Sequence, residues 1–256
     1  MSTLALGVRR GLIEQASIMR DGREVSGQLA GLVMFVLLML WIGDNPAGGG
    51  VGMSAFMAVG FMAFTVFSAG TMSLPLLIAT DREEGALLRL RALPRGLRVY
   101  VTGRAVSLML HIAGHSAIML ALGAAVGGLG APAHWPTLLW SLALGTLAVV
   151  PLGTAIGAML PSAKTAAALI GVPTMLLMIC SGVMLPVRMM PEAVQWVAQA
   201  FPLYWQGHAL RAAFFDSPAG ELHGVWQLGT AAIVMGAWAL AGMVLAPWLL
   251  RRVTRK

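Results

Sequence analysis

His111 and His115 stand four residues apart inside an apolar run, and no other side chains of this sequence are so well spaced to do chemistry. Four residues are about one helical turn, so both rings share a face, where two imidazoles could ligate haem or a metal ion or pass a proton. The zinc-protease pattern requires a glutamate directly after the first histidine, and Ile112 occupies that place. A polar side chain in an apolar helix finds its partner on a neighbouring helix, so neutral, hydrogen-bonded packing is the favoured role of the pair. A haem- or metal-handling membrane protein built on His111 and His115 is the alternative from another functional class.

Other chemistry lacks its residues. A phosphate-binding loop needs glycines whose backbone N–H groups wrap phosphate, followed at once by lysine. The nearest approach, Ala163-Lys164-Thr165, has neither glycine. We therefore expect no catalytic residue, no metal ligand and no cofactor in this chain, with any ATP and Mg2+ handled by another polypeptide. No serine sits in a nucleophile elbow. No Asp, Glu, Lys or Arg falls near the middle of an apolar run, as ion-coupled transport would require. Cys180 is the sole cysteine and offers neither an internal disulfide nor a metal cluster. The pairs Gly27/Gly31 and Gly153/Gly157 have a spacing that lets membrane helices approach closely. The 18 methionines read as gap-filling core or as an adaptable apolar surface.

The elements that carry these residues are made for lipid. With 58% hydrophobic and 11% charged residues among 256, the chain has too little polar surface to cover a soluble domain. A helix needs roughly 20 apolar residues to cross a bilayer core. Charge-free stretches of that size predict an all-α integral membrane protein with six spans, at residues 25–43, 51–80, 104–127, 136–160, 165–186 and 225–250. The formal charge of +7 does not point to nucleic acid, because the basic residues lie between apolar runs and at the chain ends. Arg9, Arg10, Arg20 and Arg23, then six arginines from Arg82 to Arg104, then Lys164, then the basic tail all fall on one side of six spans. Positive charge gathers inside, so both termini are expected in the cytoplasm and the protein in the cytoplasmic (inner) membrane.

Three segments lie outside the spans. Residues 1–24 form an amphipathic interfacial helix, with Leu4, Val8, Leu12 and Ala16 about one turn apart and Arg9, Arg10 and Glu14 interleaved. Residues 187–221 form an outer re-entrant hairpin of two short helices, punctuated by Pro186, Pro191 and Pro202 and carrying Arg211, with Trp196, Tyr204 and Trp205 at headgroup level. Residues 81–98 form a cytoplasmic segment whose core is a short helix over residues 80–94. Thr80 and Glu83 stand at capping-box spacing, Asp81, Glu83 and Glu84 place negative charge in its first turn, and Pro94 stops it.

That segment reads Thr-Asp-Arg-Glu-Glu-Gly-Ala-Leu-Leu-Arg-Leu-Arg-Ala-Leu-Pro. It resembles the loop of ABC-2 type permeases, the membrane subunits of many bacterial exporters, usually Arg-Glu-x-Gly-Thr-Leu-Glu-Arg-Leu with a proline further on. Arg82, Glu83, Gly85, Leu87, Arg89, Leu90 and Pro94 match; Ala86 and Leu88 replace Thr and Glu. Ser181-Gly182 through Pro186, Met190-Pro191, Phe201-Pro202 and Ala209-Leu210-Arg211 are similar to the family's outer segment. The resemblance implies a complex of two permease subunits, as a homodimer or with a close paralogue, and two copies of a separate ATPase. The short helix over residues 80–94 is expected to be the coupling helix, with Leu87 and Leu90, three apart on one face, seated in the ATPase and Gly85 allowing close backbone approach. Within the family the chain looks most like daunorubicin-exporter permeases, which move hydrophobic drugs; lipid or polysaccharide export is the alternative within transport.

Overall fold

The computed structural model describes residues 2–253 apart from Asp44, Gly49, Pro94 and Pro161. The side chains of Leu87, Leu88, Arg91 and a few other helical residues, like Pro94 itself, lie outside what is described. Eleven α-helices carry the fold among those residues: α1 Thr3–Arg20, α2 Gly22–Ile42, α3 Met53–Ser68, α4 Leu74–Glu83, α5 Ala86–Arg91, α6 Gly96–Val126, α7 Trp135–Met159, α8 Ala163–Cys180, α9 Glu192–Ala200, α10 Pro202–Phe214 and α11 Leu228–Val253. The turn-like stretch after α2 is a small antiparallel ribbon of β1 Pro46–Gly48 and β2 Val51–Gly52.

Among the described residues six helical stretches are long and apolar enough to span a bilayer: Val25–Ile42, Met53–Glu83, Val99–Val126, Trp135–Met159, Ala163–Cys180 and Leu228–Ala246. The second combines α3 and α4 through a π-turn at Ala69–Ser73. Pro75 has no N–H to give the carbonyl of Thr71, and a π-turn absorbs such a missing bond without breaking the span. The wider turn also seats α7. A methyl group on Gly153 would overlap the Gly70 carbonyl, and one on Gly157 would come 2.9 Å from Pro75 Cα. The Gly153/Gly157 pair is therefore a packing notch, whereas nothing lies within 4 Å of where a side chain on Gly27 or Gly31 would start.

The core centres on α3. Val59, Met62, Ala63 and Val66 meet Leu108, Ile112 and Met119 of α6, Val149 of α7, and Leu203, Leu210 and Ala213 of α10 in one buried cluster. α10 is buried along its whole length, with α3, α7 and α11 around it. By contrast α2 and α8 turn Leu29, Val33, Leu37, Leu169, Val172 and Leu176 outward, as helices facing lipid do.

α1 packs on α6 through glycines rather than through its leucines. Gly7 and Gly11 are buried against Thr102, Gly103 and Val106, while Leu4, Leu12 and Ile13 remain more than half exposed. The amphipathic period thus leaves its apolar side free and buries its smallest residues.

One expectation for the outer segment fails. Trp196 on α9 is 68% exposed, as an interfacial tryptophan should be, but Tyr204 and Trp205 are 2% and 3% exposed inside the bundle. Pro202 starts α10 at its first position, and the helix then turns its aromatic residues inward because every side of it meets another helix.

Candidate functional site

The arginine-rich segment after α4 is built differently from a freshly capped helix. α4 continues to Glu83, so Thr80 and Asp81 lie in its last turns instead of starting a new one. The Thr80 hydroxyl donates back to the Leu76 carbonyl at 3.0 Å, the usual bond of a threonine inside a helix, and caps nothing. Glu83 does cap a helix, but a distant one: its carboxylate accepts the backbone N–H of Ala163, at 2.9 Å, at the start of α8. Beside it the Arg82 guanidinium donates to the carbonyls of Ala158 and Leu160, which end α7. Negative charge at a helix N-terminus and positive charge at a C-terminus both match the helix dipole and satisfy groups a helix leaves unpaired. Arg82 and Glu83 therefore clamp the α7–α8 junction to α4.

Gly85 then reverses the chain at φ +67°, a left-handed conformation that costs other residues about 1–2 kcal/mol. A side chain there would meet nothing within 4 Å, so the glycine serves its backbone angle and not a close approach to this chain. The six-residue α5 follows, with Arg89 donating to the Glu84 carbonyl at 3.2 Å and Leu90 partly buried. The segment is thus split at Glu84–Gly85, and the expectation of one helix over residues 80–94 is corrected. The reason is the left-handed turn that the glycine supplies.

A second set of charges ties the flanks of this segment together. Arg104 on α6 forms ion pairs with Glu14 of α1 and Asp81 of α4. The Tyr100 hydroxyl donates to Asp81 at 2.5 Å, and both Arg10 and Arg104 lie over the Tyr100 ring, 5.1 and 5.4 Å from its centre. α1, α4 and α6 therefore converge on Arg104. Cation–π contact and charge-assisted hydrogen bonds reinforce each other at this partly buried junction.

The opposite end of the bundle holds a more deeply buried centre. On α10 Arg211 forms an ion pair through Nε with Glu221, donates through Nη2 to the same carboxylate at 3.1 Å, and donates through Nη1 to the Gly182 carbonyl at 3.1 Å. Its guanidinium also covers the Phe56 ring of α3 at 4.7 Å. His208, one turn earlier on α10, meets Glu221 at 2.7 Å through Nδ1. Burial alone would raise the Glu221 carboxyl, but the Arg211 charge and the hydrogen bonds from His208 and Arg211 outweigh it and hold the group at about 2. Near them the Gln206 amide is buried and without a partner among the described residues, pressed onto Gly145 of α7.

Of the expected outer residues, Pro186 precedes the short 3-10 turn Val187–Met189, Pro191 is the residue before α9, and Pro202 begins α10; only Arg211 enters an ionic centre. Sequence reasoning did not single out Glu221 or His208. A signal was available: Arg211 and Glu221 are two of only four charged residues between 189 and 250, and in apolar surroundings such charges pair. His111 and His115 do face each other, with ring centres 5.8 Å apart, and no group of three or more His, Cys, Asp or Glu is placed to hold a metal among the described residues.

Over 154 residues the chain is 32% identical to a Bacillus subtilis (strain 168) protein named "Putative transport permease YvfS", an alignment covering 57% of this chain and 61% of that one. The matched stretch is thus less than two thirds of that relative's length. Residues 13–215 match the family described as ABC-2 type transporter, from the middle of α1 to the residue after α10. Members of that family are non-catalytic membrane subunits without an ATPase site. The chain belongs to the ABC-2 type transporter family.

Proposed function

We propose that this chain is the membrane-spanning subunit of an ATP-driven exporter that moves hydrophobic or amphipathic compounds, of the kind handled in drug efflux, out across the cytoplasmic membrane. Two copies of a separate ATPase bind and hydrolyse ATP with Mg2+, and two permease subunits, identical or closely related, form the pathway. Both termini and the segment around Arg89 face the cytoplasm, since nearly all basic residues then lie inside.

The observation that carries this reading is the clamp made by Arg82 and Glu83. A short helix, α5, follows one left-handed residue after α4, and α4 is tied by side chains to the ends of α7 and α8. A push on α5 by an ATPase reaches three spans through short, charge-assisted links, which a solvated loop would not transmit. The Arg104 hub extends the same path to α1 and α6. Leu87 and Leu90, three residues apart on α5, supply the apolar contact for the ATPase surface.

Glu83→Ala and Gly85→Leu are expected to insert and express near normally, because a lost cap costs only about 1 kcal/mol and a side chain at the left-handed residue about 1–2 kcal/mol. Both should reduce transport and substrate-stimulated ATPase activity in the assembled complex. Parental transport rates in both variants would reject the coupling role. The topology has its own check: in a chain with Cys180→Ser, a cysteine introduced by Asp216→Cys should react with an impermeant maleimide in intact cells. Reaction only after permeabilisation would reverse the orientation.

A further inference from the structure

We infer that His208 is a proton-sensitive latch between the re-entrant helix α10 and the last span, α11. The assignment rests on which atoms meet. The backbone N–H of Gln227 points at His208 Nε2, 2.9 Å away. An amide N–H can only donate, so Nε2 must offer a lone pair, and the ring's hydrogen must sit on Nδ1. There it donates to Glu221 at 2.7 Å. The two contacts together fix the neutral imidazole in one tautomer.

Gln227 is the residue directly before Leu228, where α11 begins, and its carbonyl accepts the N–H of Ala231 at 3.0 Å. The Nε2 bond thus joins the start of α11 to α10, beside the apolar packing of Tyr204, Trp205 and Ala209 with Ala231 and Met235. A proton arriving from solvent at Nε2 consumes the lone pair and sets two donors against each other. The Gln227 amide must then leave. The Nδ1 bond survives, because Glu221, held ionised by Arg211, binds an imidazolium at least as well as a neutral ring. Protonation therefore frees the first turn of α11 from His208, while the apolar packing further along α11 stays and α10 keeps its ionic clasp.

The surroundings contain little else that could respond. The His208 ring lies between Tyr204, Trp205 and Trp226, with centres 5.9, 5.7 and 5.3 Å away. Among the described residues the charged or titratable groups of this centre are Glu221, Arg211 and Tyr204. α3 and α7 carry no such side chain, and α11 has only Arg251 and Arg252 at its far end. Glu192 on α9, His134 before α7, His223, and Arg188, which donates to the Ala47 carbonyl, are exposed. That the sensed proton is external rests on the topology proposed above; the latch itself does not.

The test is made on the full chain in lipid nanodiscs, without ATPase or cargo, so it stands or falls independently of the export reading. Nitrogen-15 histidine NMR should show His208 protonated at Nδ1 and bare at Nε2 at neutral pH. Hydrogen exchange over residues 222–232, corrected for the intrinsic effect of pH, should speed up about tenfold as His208 takes its second proton, the effect of losing one hydrogen bond. His208→Gln, which can accept from Gln227 through its amide oxygen and cannot titrate, should keep the protection at every pH. Protonation at Nε2 under neutral conditions, or corrected exchange with the same pH dependence in the native and His208→Gln chains, would overturn the latch. If His208→Gln does not insert, the native chain decides: exchange that fails to follow the His208 titration rejects the proposal.

Discussion

The Arg104 hub and the Arg211 centre use the same residue types at the two ends of the bundle, and they differ in burial and in chain distance. Arg104 binds two carboxylates on two other helices, Glu14 and Asp81, 90 and 23 residues away in sequence, with side chains 13–18% exposed. Arg211 shares one carboxylate with His208 across only 10 and 13 residues, with side chains 1–3% exposed. The first arrangement joins separate helices at a face that can still admit water. The second closes a local turn so that α10 can lie inside the bundle with its charge neutralised. Charge at the basic end joins three helices to one another; charge at the other end holds one helix to the turn that follows it.

The comparison is broken most sharply at the buried centre. Arg211→Ala or Glu221→Ala leaves an uncompensated charge among α3, α10 and α11, and each should cost about 3–5 kcal/mol, read as lost thermal stability or lost detergent-resistant folding. Replacing both by apolar residues, Arg211→Met with Glu221→Leu, should recover much of that loss; a double variant as unstable as either single one would refute an uncompensated charge as its cause.

Acid provides the next largest effect, and its direction follows from the shift at Glu221. The folded carboxyl titrates at about 2 against an ordinary value of 4.5, so its stabilisation is complete above pH 4.5 and is lost as the pH falls from there toward 2. The difference is on the order of 3 kcal/mol. Glu221→Gln should remove that part of the acid dependence, as melting temperature against pH will show.

At the hub a smaller effect on folding should accompany a larger one on function. Arg104→Ala should cost about 1–3 kcal/mol, because water can reach the abandoned carboxylates. Transport in the assembled complex should fall by more than the expression level does. Asp81→Asn with Arg104→Gln, set against the two single changes, measures how far α4 and α6 act together; additive losses would mean that Asp81 and Arg104 act independently and the hub does not couple the two helices.

Much of this was legible in the residues. The six apolar stretches needed only counting, because the bilayer imposes a length on any helix that crosses it. Arg82, Glu83 and Gly85 were recognisable as a motif, yet their partners were not: Leu160 and Ala163 lie about 80 residues further on. The capping-box spacing of Thr80 and Glu83 was real, but a helix already in progress from Leu74 overrode it. Tyr204 and Trp205 show the same limit, since aromatic residues suit both a headgroup layer and a core, and only the helices around α10 decide between them.

By itself the sequence determined which segments are helical and apolar, where the basic side lies, and which residues carry the family's motif, because these depend on local composition and on the thickness of a membrane. Tertiary structure alone decided that Glu83 caps α8, that Gly153 and not Gly27 is a packing notch, and that Arg211, Glu221 and His208 share one buried centre. Each of those is a meeting of atoms from different helices, and a side chain's charge or size does not say which helix will stand next to it.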